Sequence, residues 1–308
     1  MRAVTFRSYG DTDVLEIAEV PTPEPGEGQV RIAVRAASVN PADLAARAGA
    51  FAGFLPERPA YGLGWDMAGT VDALGKGVTG FAVGDRVVGM SDYFATLVGT
   101  QADFVVLNAA AIAAVPAGID LTGATTLGVN ALTAAQGLDQ IGLAAGQTLA
   151  ITGAAGAVGG FAAELAVLAG LRVYAVAGER DEEFVRHTGA TFVARSADPA
   201  ASLRALVPGG VDGLYDAAML GEPALHAVRD GGVFVNVSSA RVPVAERGIR
   251  TEGMGVRSDG TRLADLVRLA EQGSLAVRVA ETLPLTEVAA AHALVAKGGL
   301  RGRVVLTP

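Results

Sequence analysis

Thr148-Leu149-Ala150-Ile151-Thr152-Gly153-Ala154-Ala155-Gly156-Ala157-Val158-Gly159 joins an apolar, β-rich run to a G-x-x-G-x-x-G turn. An Ala-rich segment of helical character, Gly160 to Leu168, follows, and a second apolar run, Leu171 to Ala177, comes next. Strand, glycine turn, helix and strand in this order is the context in which such a turn points to a dinucleotide. Glycine lets the backbone turn tightly, approach a pyrophosphate and pack the helix close to the sheet. The pyrophosphate then meets the unpaired N–H groups at the positive end of the helix dipole. The candidate cofactor-binding residues of this turn are Gly153, Ala154, Gly156, Ala157, Val158 and Gly159. An ordinary βαβ turn is the competing reading, because the chain holds 41 glycines.

A chain of 308 residues is enough for a large core and two domains. Hydrophobic residues make up 51% and charged residues 18%, which marks a globular chain, and the net charge of −8 with no basic cluster argues against a nucleic-acid surface. The absence of cysteine excludes disulfides, thiolate metal sites and a cysteine nucleophile. Met1 to Phe6 reads as a short strand and not as a signal peptide. The apolar runs are broken well before the ~20 residues that span a bilayer. A cytoplasmic protein with no membrane partner is the expectation. The Ala, Gly, Val and Arg usage suggests a GC-rich bacterial genome.

The texture of the chain changes near residue 120. Before it lie short alternating runs, Ala3 to Phe6, Val14 to Val20, Gln29 to Ser38, Asp66 to Leu74, Arg86 to Met90 and Ala102 to Leu107, separated by turn clusters. They predict a β-rich domain. After it, six strand-like runs alternate with helical stretches: Thr148 to Thr152, Leu171 to Ala177, Thr191 to Ala194, Val211 to Tyr215, Gly232 to Val237 and Ile249 to Val256. They predict an α/β class, with a doubly wound six-stranded parallel sheet. The tail gives a helix (Asp259 to Glu271), a strand near Val277 to Leu283, a helix (Thr286 to Lys297) and a last strand (Gly302 to Leu306).

These residues carry a resemblance. Val39-Asn40-Pro41-Ala42-Asp43, Gly64-Trp65-Asp66-Met67-Ala68-Gly69-Thr70-Val71, Gly84-Asp85-Arg86-Val87, Asn130-Ala131-Leu132-Thr133-Ala134, the Gly153 to Gly159 turn, Tyr215-Asp216 and Gly299-Leu300-Arg301-Gly302-Arg303-Val304-Val305-Leu306 occur in the order of one family. The chain resembles the medium-chain dehydrogenase/reductase superfamily in its zinc-free NADPH:quinone oxidoreductase branch. The resemblance implies a GroES-like catalytic domain (1–119 and 258–308), an inserted Rossmann domain binding NADPH (120–257), and an active site in the cleft between them. It also implies a homodimer paired through the edge strand matching Arg247 to Val256, a run whose charges make it a mixed edge.

Zinc-dependent relatives carry Cys and a Gly-His-Glu motif, which here reads Gly64-Trp65-Asp66. A catalytic zinc needs about three protein ligands, and the only histidines are His187, His226 and His292. No metal site is expected. Without zinc to polarise an alcohol, reduction of an electron-poor quinone or enone is the favoured chemistry. The place where NAD-binding folds set an acidic residue, about 20 residues past the glycines, falls by spacing on Gly178. Gly178 followed by Arg180, with Arg195 after the third strand, suits the 2′-phosphate of NADPH. Glu179 opposes that reading, and a solvated helix start is the alternative for Arg180. The resemblance adds Asp216, Ala217, Val237 and Ser238 as residues lining ribose and nicotinamide.

For the chemistry, Asn40 matches the family's Asn beside the nicotinamide, although a turn residue before Pro41 reads equally well. Tyr61 could replace a family tyrosine missing from Phe51-Ala52-Gly53-Phe54. Asn130 could line the cleft or pack a helix. Phe51, Phe54 and Trp65 suggest either an apolar substrate pocket or core. Two further readings stay open: a non-catalytic NADP-binding protein, and a secondary-metabolism reductase with a polyketide-like substrate.

Overall fold

The computed structural model describes residues 1–308, and the chain divides into two compact units, Met1–Leu132 with Arg257–Pro308, and Thr133–Val256. Residues 120–132, which sequence texture groups with the nucleotide-binding half, fall in the first unit, where the turn of helix at Leu121–Ala124 contacts the first unit's strands.

The first unit holds β1 (Arg2–Phe6), β2 (Glu16–Glu19), β3 (Gln29–Val39), β4 (Tyr61–Gly62), β5 (Asp66–Leu74), β6 (Arg86–Met90), β7 (Phe104–Asn108) and β8 (Ile112–Ala114). The short helices α1 (Pro41–Arg47), α2 (Tyr93–Thr96) and α3 (Leu121–Ala124) sit between and after them. The helix α4 (Val129–Ile141) begins here and continues into the second unit. That unit holds β9 (Thr148–Thr152), α5 (Ala157–Leu168), β10 (Arg172–Ala177), α6 (Glu182–His187), β11 (Thr191–Ala194) and α7 (Pro199–Leu206). It continues with β12 (Val211–Asp216), α8 (Glu222–Leu225), β13 (Val228–Asn236) and β14 (Arg250–Gly253). The chain returns to the first unit with α9 (Gly260–Glu271), β15 (Val279–Pro284), α10 (Val288–Lys297) and β16 (Arg303–Thr307).

In the second unit a six-stranded sheet runs β11-β10-β9-β12-β13-β14, every neighbouring pair parallel. The order reverses between β9 and β12, which makes their carboxyl ends the place where an open α/β sheet binds ligands. β9 is buried along its whole length, as its unbroken apolar run requires. The first unit carries a seven-stranded sheet, β15-β16-β3-β5-β6-β8 with β7 also paired to β3, and a small sheet β2-β1-β4. The chain therefore adopts the α/β class, with a six-stranded parallel sheet in one unit and a β-rich other unit. No helix is long and apolar enough to cross a membrane.

Differences from the sequence reading have local causes. Helix α5 starts three residues before Gly160, because Gly156 is extended and serves as its N-cap. Strand β13 begins at Val228, with a register irregularity against β12 between Val211 and Gly213 that the apolar run from Gly232 does not reveal.

His292 on α10 is wholly buried, and neither ring nitrogen has a hydrogen-bond partner. Burial, with the Arg47 charge adding to it, lowers its pKa from 6.5 to about 4. The neutral ring is thus favoured by the fold, so its contribution to stability is complete above pH 6.5 and is lost as pH falls through 4. Thermal unfolding of the wild type is expected to lose stability between pH 6.5 and 4, by about 3 kcal/mol from this group. His292→Met flattens that part of the profile; equal slopes in the two proteins refute the assignment.

Candidate functional site

The glycine turn lies at the carboxyl end of β9, beside the reversal of strand order. Gly153 has φ of +62°, and a Cβ at Gly159 would stand 2.2 Å from the Gly153 carbonyl oxygen. The first turn of α5 is therefore pressed against the loop, a cradle that any side chain at 159 would fill. Ala154 is fully buried, while Ala157 and Val158 are partly exposed at the helix start. These residues fit a dinucleotide pyrophosphate.

Gly178 follows β10 and Arg195 follows β11, with the Arg195 N–H bonded to the Ala177 carbonyl at 2.7 Å. Arg180 and Arg195 are both exposed, and so is Glu179. The buried Asp181 carboxylate lies 3.9 Å from Arg180 Nε. A side chain at 178 would meet that carboxylate at 3.3 Å.

Asp216, at the end of β12, is fully buried and already committed. Its carboxylate accepts from Thr152 Oγ1 at 2.5 Å, Asn236 Nδ2 at 2.9 Å and the Gly221 N–H at 2.8 Å. Thr152 in turn accepts from the Ala218 N–H at 3.0 Å. Asp216 therefore ties together the carboxyl ends of β9, β12 and β13 rather than presenting a free charge. Ala217, Val237 and Ser238 follow these strand ends and are partly exposed; the Ser238 N–H bonds Asn236 Oδ1 at 2.9 Å.

In the first unit, Asn40 and Asn130 meet in a buried polar chain that includes two residues the sequence reading did not assign, Asp66 and Arg303. Arg303 Nε donates to Asn130 Oδ1 at 2.9 Å, Asn130 Nδ2 to Asn40 Oδ1 at 3.4 Å, and Asn40 Nδ2 to Asp66 Oδ1 at 3.3 Å. The other oxygen of Asp66 accepts from the Val129 N–H at 3.1 Å. Each amide thus turns its oxygen toward the cation and its nitrogen toward the anion, which fixes both orientations. Asp43 caps α1 by accepting from the Asn40 N–H at 2.7 Å, and it accepts from the Gly64 N–H at 2.8 Å. Gly64, at φ +105°, is required here, since a Cβ would lie 2.4 Å from Thr100 Oγ1. Burial lifts Asp43 to about 8, with the Asp66 charge adding to it, and burial lifts Asp66 to about 6 against the Val129 N–H and Arg303. The signal available in sequence was the pair of apolar-strand charges, Asp66 and Arg303, in otherwise hydrophobic runs.

Tyr61 is not part of this chain. Its hydroxyl donates to the Pro56 carbonyl at 2.9 Å and accepts from the Arg58 N–H at 3.2 Å, which closes a local turn, and its ring stacks on Phe6. The hydroxyls of Tyr93 and Tyr215 likewise donate to the carbonyls of Gly62 and Thr133, both at 2.8 Å. The aromatic trio divides: Phe54 is exposed, Trp65 is core and Phe51 is half-buried.

No three His, Cys, Asp or Glu side chains converge on a place that could hold a metal ion. His187 is exposed with Nδ1 on the Glu183 carbonyl, His226 is exposed beside Glu246, and His292 is buried. The donor set does not fit a zinc site.

Gly159→Ala is expected to weaken binding of a nicotinamide dinucleotide more than tenfold in a fluorescence titration, because helix and loop must part; unchanged binding overturns the cradle. The raised pKa values of Asp43 and Asp66 mean that their contributions to stability are complete below about pH 4 and decline as pH rises through 6 and 8. Asp43→Asn is expected to lower stability at pH 5 by about 1–3 kcal/mol, because one backbone N–H loses its acceptor, and to reduce the decline between pH 6 and 8.5. A variant with an unaltered slope refutes the Asp43 contribution.

Two family profiles match, the alcohol dehydrogenase GroES-like domain over residues 26–117 and the zinc-binding dehydrogenase over residues 188–306. The chain is 29% identical to 2-methylene-furan-3-one reductase of Solanum lycopersicum, over all of this chain and 79% of that protein. It spans only about a tenth of the mycobacterial phthioceranic/hydroxyphthioceranic acid synthases, to which it is 37% identical over 215 residues. Among solved structures, the quinone oxidoreductase from Coxiella burnetii aligns with a TM-score of 0.88, 27% identity, and coverage of 100% of this chain and 99% of that one. An NAD-dependent alcohol dehydrogenase aligns at 0.87 with 31% identity over all of both chains. A mycobacterial protein complexed with NADPH aligns at 0.85 with 26% identity, again over all of both chains. The fold, the glycine turn and these likenesses together place the chain in the medium-chain dehydrogenase/reductase superfamily of oxidoreductases.

Proposed function

We propose that this protein is a zinc-independent reductase that passes a hydride from NADPH to a quinone or an α,β-unsaturated carbonyl. The observation that carries the proposal is the glycine cradle at the strand-order reversal, in a chain whose donor side chains do not converge for a metal. Relatives named as an enone reductase and a quinone oxidoreductase support the substrate class, and a neighbour complexed with NADPH supports the cofactor.

The bound nicotinamide dinucleotide supplies the hydride. In this proposal Ala157, Val158 and Gly159 turn the backbone N–H groups at the start of α5 toward its pyrophosphate, while Gly153, Ala154 and Gly156 shape the turn, the Ala154 and Gly156 N–H groups being bonded to the carbonyls of Val176 and Gly153. Gly178 leaves room for the ribose 2′-phosphate, and Arg180 and Arg195 bind it. Asp216 positions the strand ends from which Ala217, Val237 and Ser238 line the ribose and nicotinamide. Asn40 offers the acceptor carbonyl the amide hydrogen that it does not give to Asp66, and Asn130 with Arg303 holds that amide in place. As hydride adds to the electron-poor carbon, the oxygen gains charge and is stabilised by the amide donor. Water delivers the balancing proton, since the hydroxyls of Tyr61, Tyr93 and Tyr215 are given to backbone carbonyls.

The polyketide synthase likeness favours one second reading, a tailoring reductase for a polyketide-like enoyl substrate. We also take the protein to be a cytoplasmic homodimer paired through the edge strand β14; a monomer mass at micromolar concentration in light scattering overturns the dimer.

Consumption of NADPH and NADH with a benzoquinone, a naphthoquinone and an aliphatic enone tests the proposal. Faster NADPH oxidation with at least one acceptor is expected, with Arg180→Ala raising the KM for NADPH about tenfold and leaving that for NADH unchanged. A preference for NADH refutes the phosphate site, and tight binding of NADPH without turnover of any acceptor refutes the reductase reading.

A further inference from the structure

The segment Ser91 to Thr100 is a strap pinned at many points yet displaying a large apolar ring. The Ser91 N–H donates to the Trp65 carbonyl at 2.7 Å and its hydroxyl to the Val98 carbonyl at 2.8 Å. The Asp92 carboxylate accepts from the Ser258 N–H at 2.7 Å and from its hydroxyl at 2.5 Å. Tyr93 is buried and bonded to Gly62. Leu97 closes the single turn of α2 at φ +55°, a conformation costly for a leucine that persists only where its surroundings over-determine it. A Cβ at Gly99 would lie 2.5 Å from both the N and O of Leu63, so the strap is pressed flat on the chain beneath it.

Between these anchors Phe94 is 51% exposed. It meets Phe51 edge to face, with centroids 5.0 Å apart, and Trp65 at 6.0 Å; Trp65 in turn packs on Tyr93 at 4.3 Å. Trp65 directly precedes Asp66, the carboxylate that orients Asn40. Phe54, by contrast, is 79% exposed and has no ring contact with this set.

We propose that Phe94, held by the Ser91–Thr100 strap and backed by Phe51 and Trp65, is a specificity-determining platform that stacks a planar conjugated ring of the acceptor. A rigid aromatic face binds a flat π-system at little conformational cost and gives a small aliphatic enone much less. The inference rests on the reductase reading for its consequence in turnover, and on ring stacking alone for its consequence in binding.

Trp65 is the only tryptophan, which makes its emission a local probe. Titration with 1,4-naphthoquinone is expected to quench Trp65 saturably. Phe94→Ala and Phe94→Leu are expected to raise the Kd about five- to tenfold, and Phe94→Tyr to restore it. In turnover with NADPH, the ratio of kcat/KM for 1,4-naphthoquinone to that for 2-cyclohexenone is expected to fall by a similar factor in both truncated variants. A Kd within twofold of wild type in Phe94→Leu overturns the platform, as does an equal loss on Phe54→Ala. Quenching that depends on Phe94 without turnover of either acceptor sinks the reductase reading and leaves the platform standing.

Discussion

The first unit depends on a hydrogen-bonded line from a cation to an anion through two amides: Arg303, Asn130, Asn40, Asp66. Asn40 lies between β3 and α1, Asp66 opens β5, Asn130 lies in the first turn of α4, and Arg303 opens β16. Arg303 and Asn130 are 173 residues apart. Buried charges and amides are tolerated only when each finds a partner, so these four segments are held in mutual register or all are left unsatisfied. The fit explains the backbone around it. Glycine at 128 lets the start of α4 approach, since a Cβ there would stand 2.5 Å from Cβ of Asp66.

The second unit applies the same economy with opposite intent. An uncommitted carboxylate at the carboxyl edge of a nucleotide-type sheet would repel a diphosphate. Asp216 instead accepts hydrogen bonds from Thr152 and Asn236 on the neighbouring strand ends and from the Gly221 N–H that precedes α8. Its charge is used to hold the sheet's rim, and the anion-attracting group that remains is the start of α5, packed so closely on Gly153 that only glycine fits at 159. The sequence places Asp216 at the end of a strand, but its partners Thr152 and Asn236, 64 and 20 residues away, are set by the fold.

The aromatic residues show why residue type alone is a poor guide to a pocket. Phe51, Phe54 and Trp65 look equivalent as a list, yet the turn after α1 exposes one, half-buries another, and β5 draws the third into the core. Phe94, which no sequence motif singles out, completes the ring set through the fold.

Short-range periodicity and glycine chemistry make the strand and helix order of the second unit legible along the chain, though not every boundary. Strands Thr148–Thr152 and Thr191–Ala194 match to the residue, the αβ alternation is visible, and the glycine turn lies where a parallel sheet needs it. Those features depend on neighbours a few residues away. Only the fold fixes the commitment of Asp216, the Arg303–Asp66 line and the exposure of Phe94. Each of these turns on a contact with a distant segment or on where a turn sets a ring, and no local pattern of apolar and polar residues encodes the partner of a single buried charge.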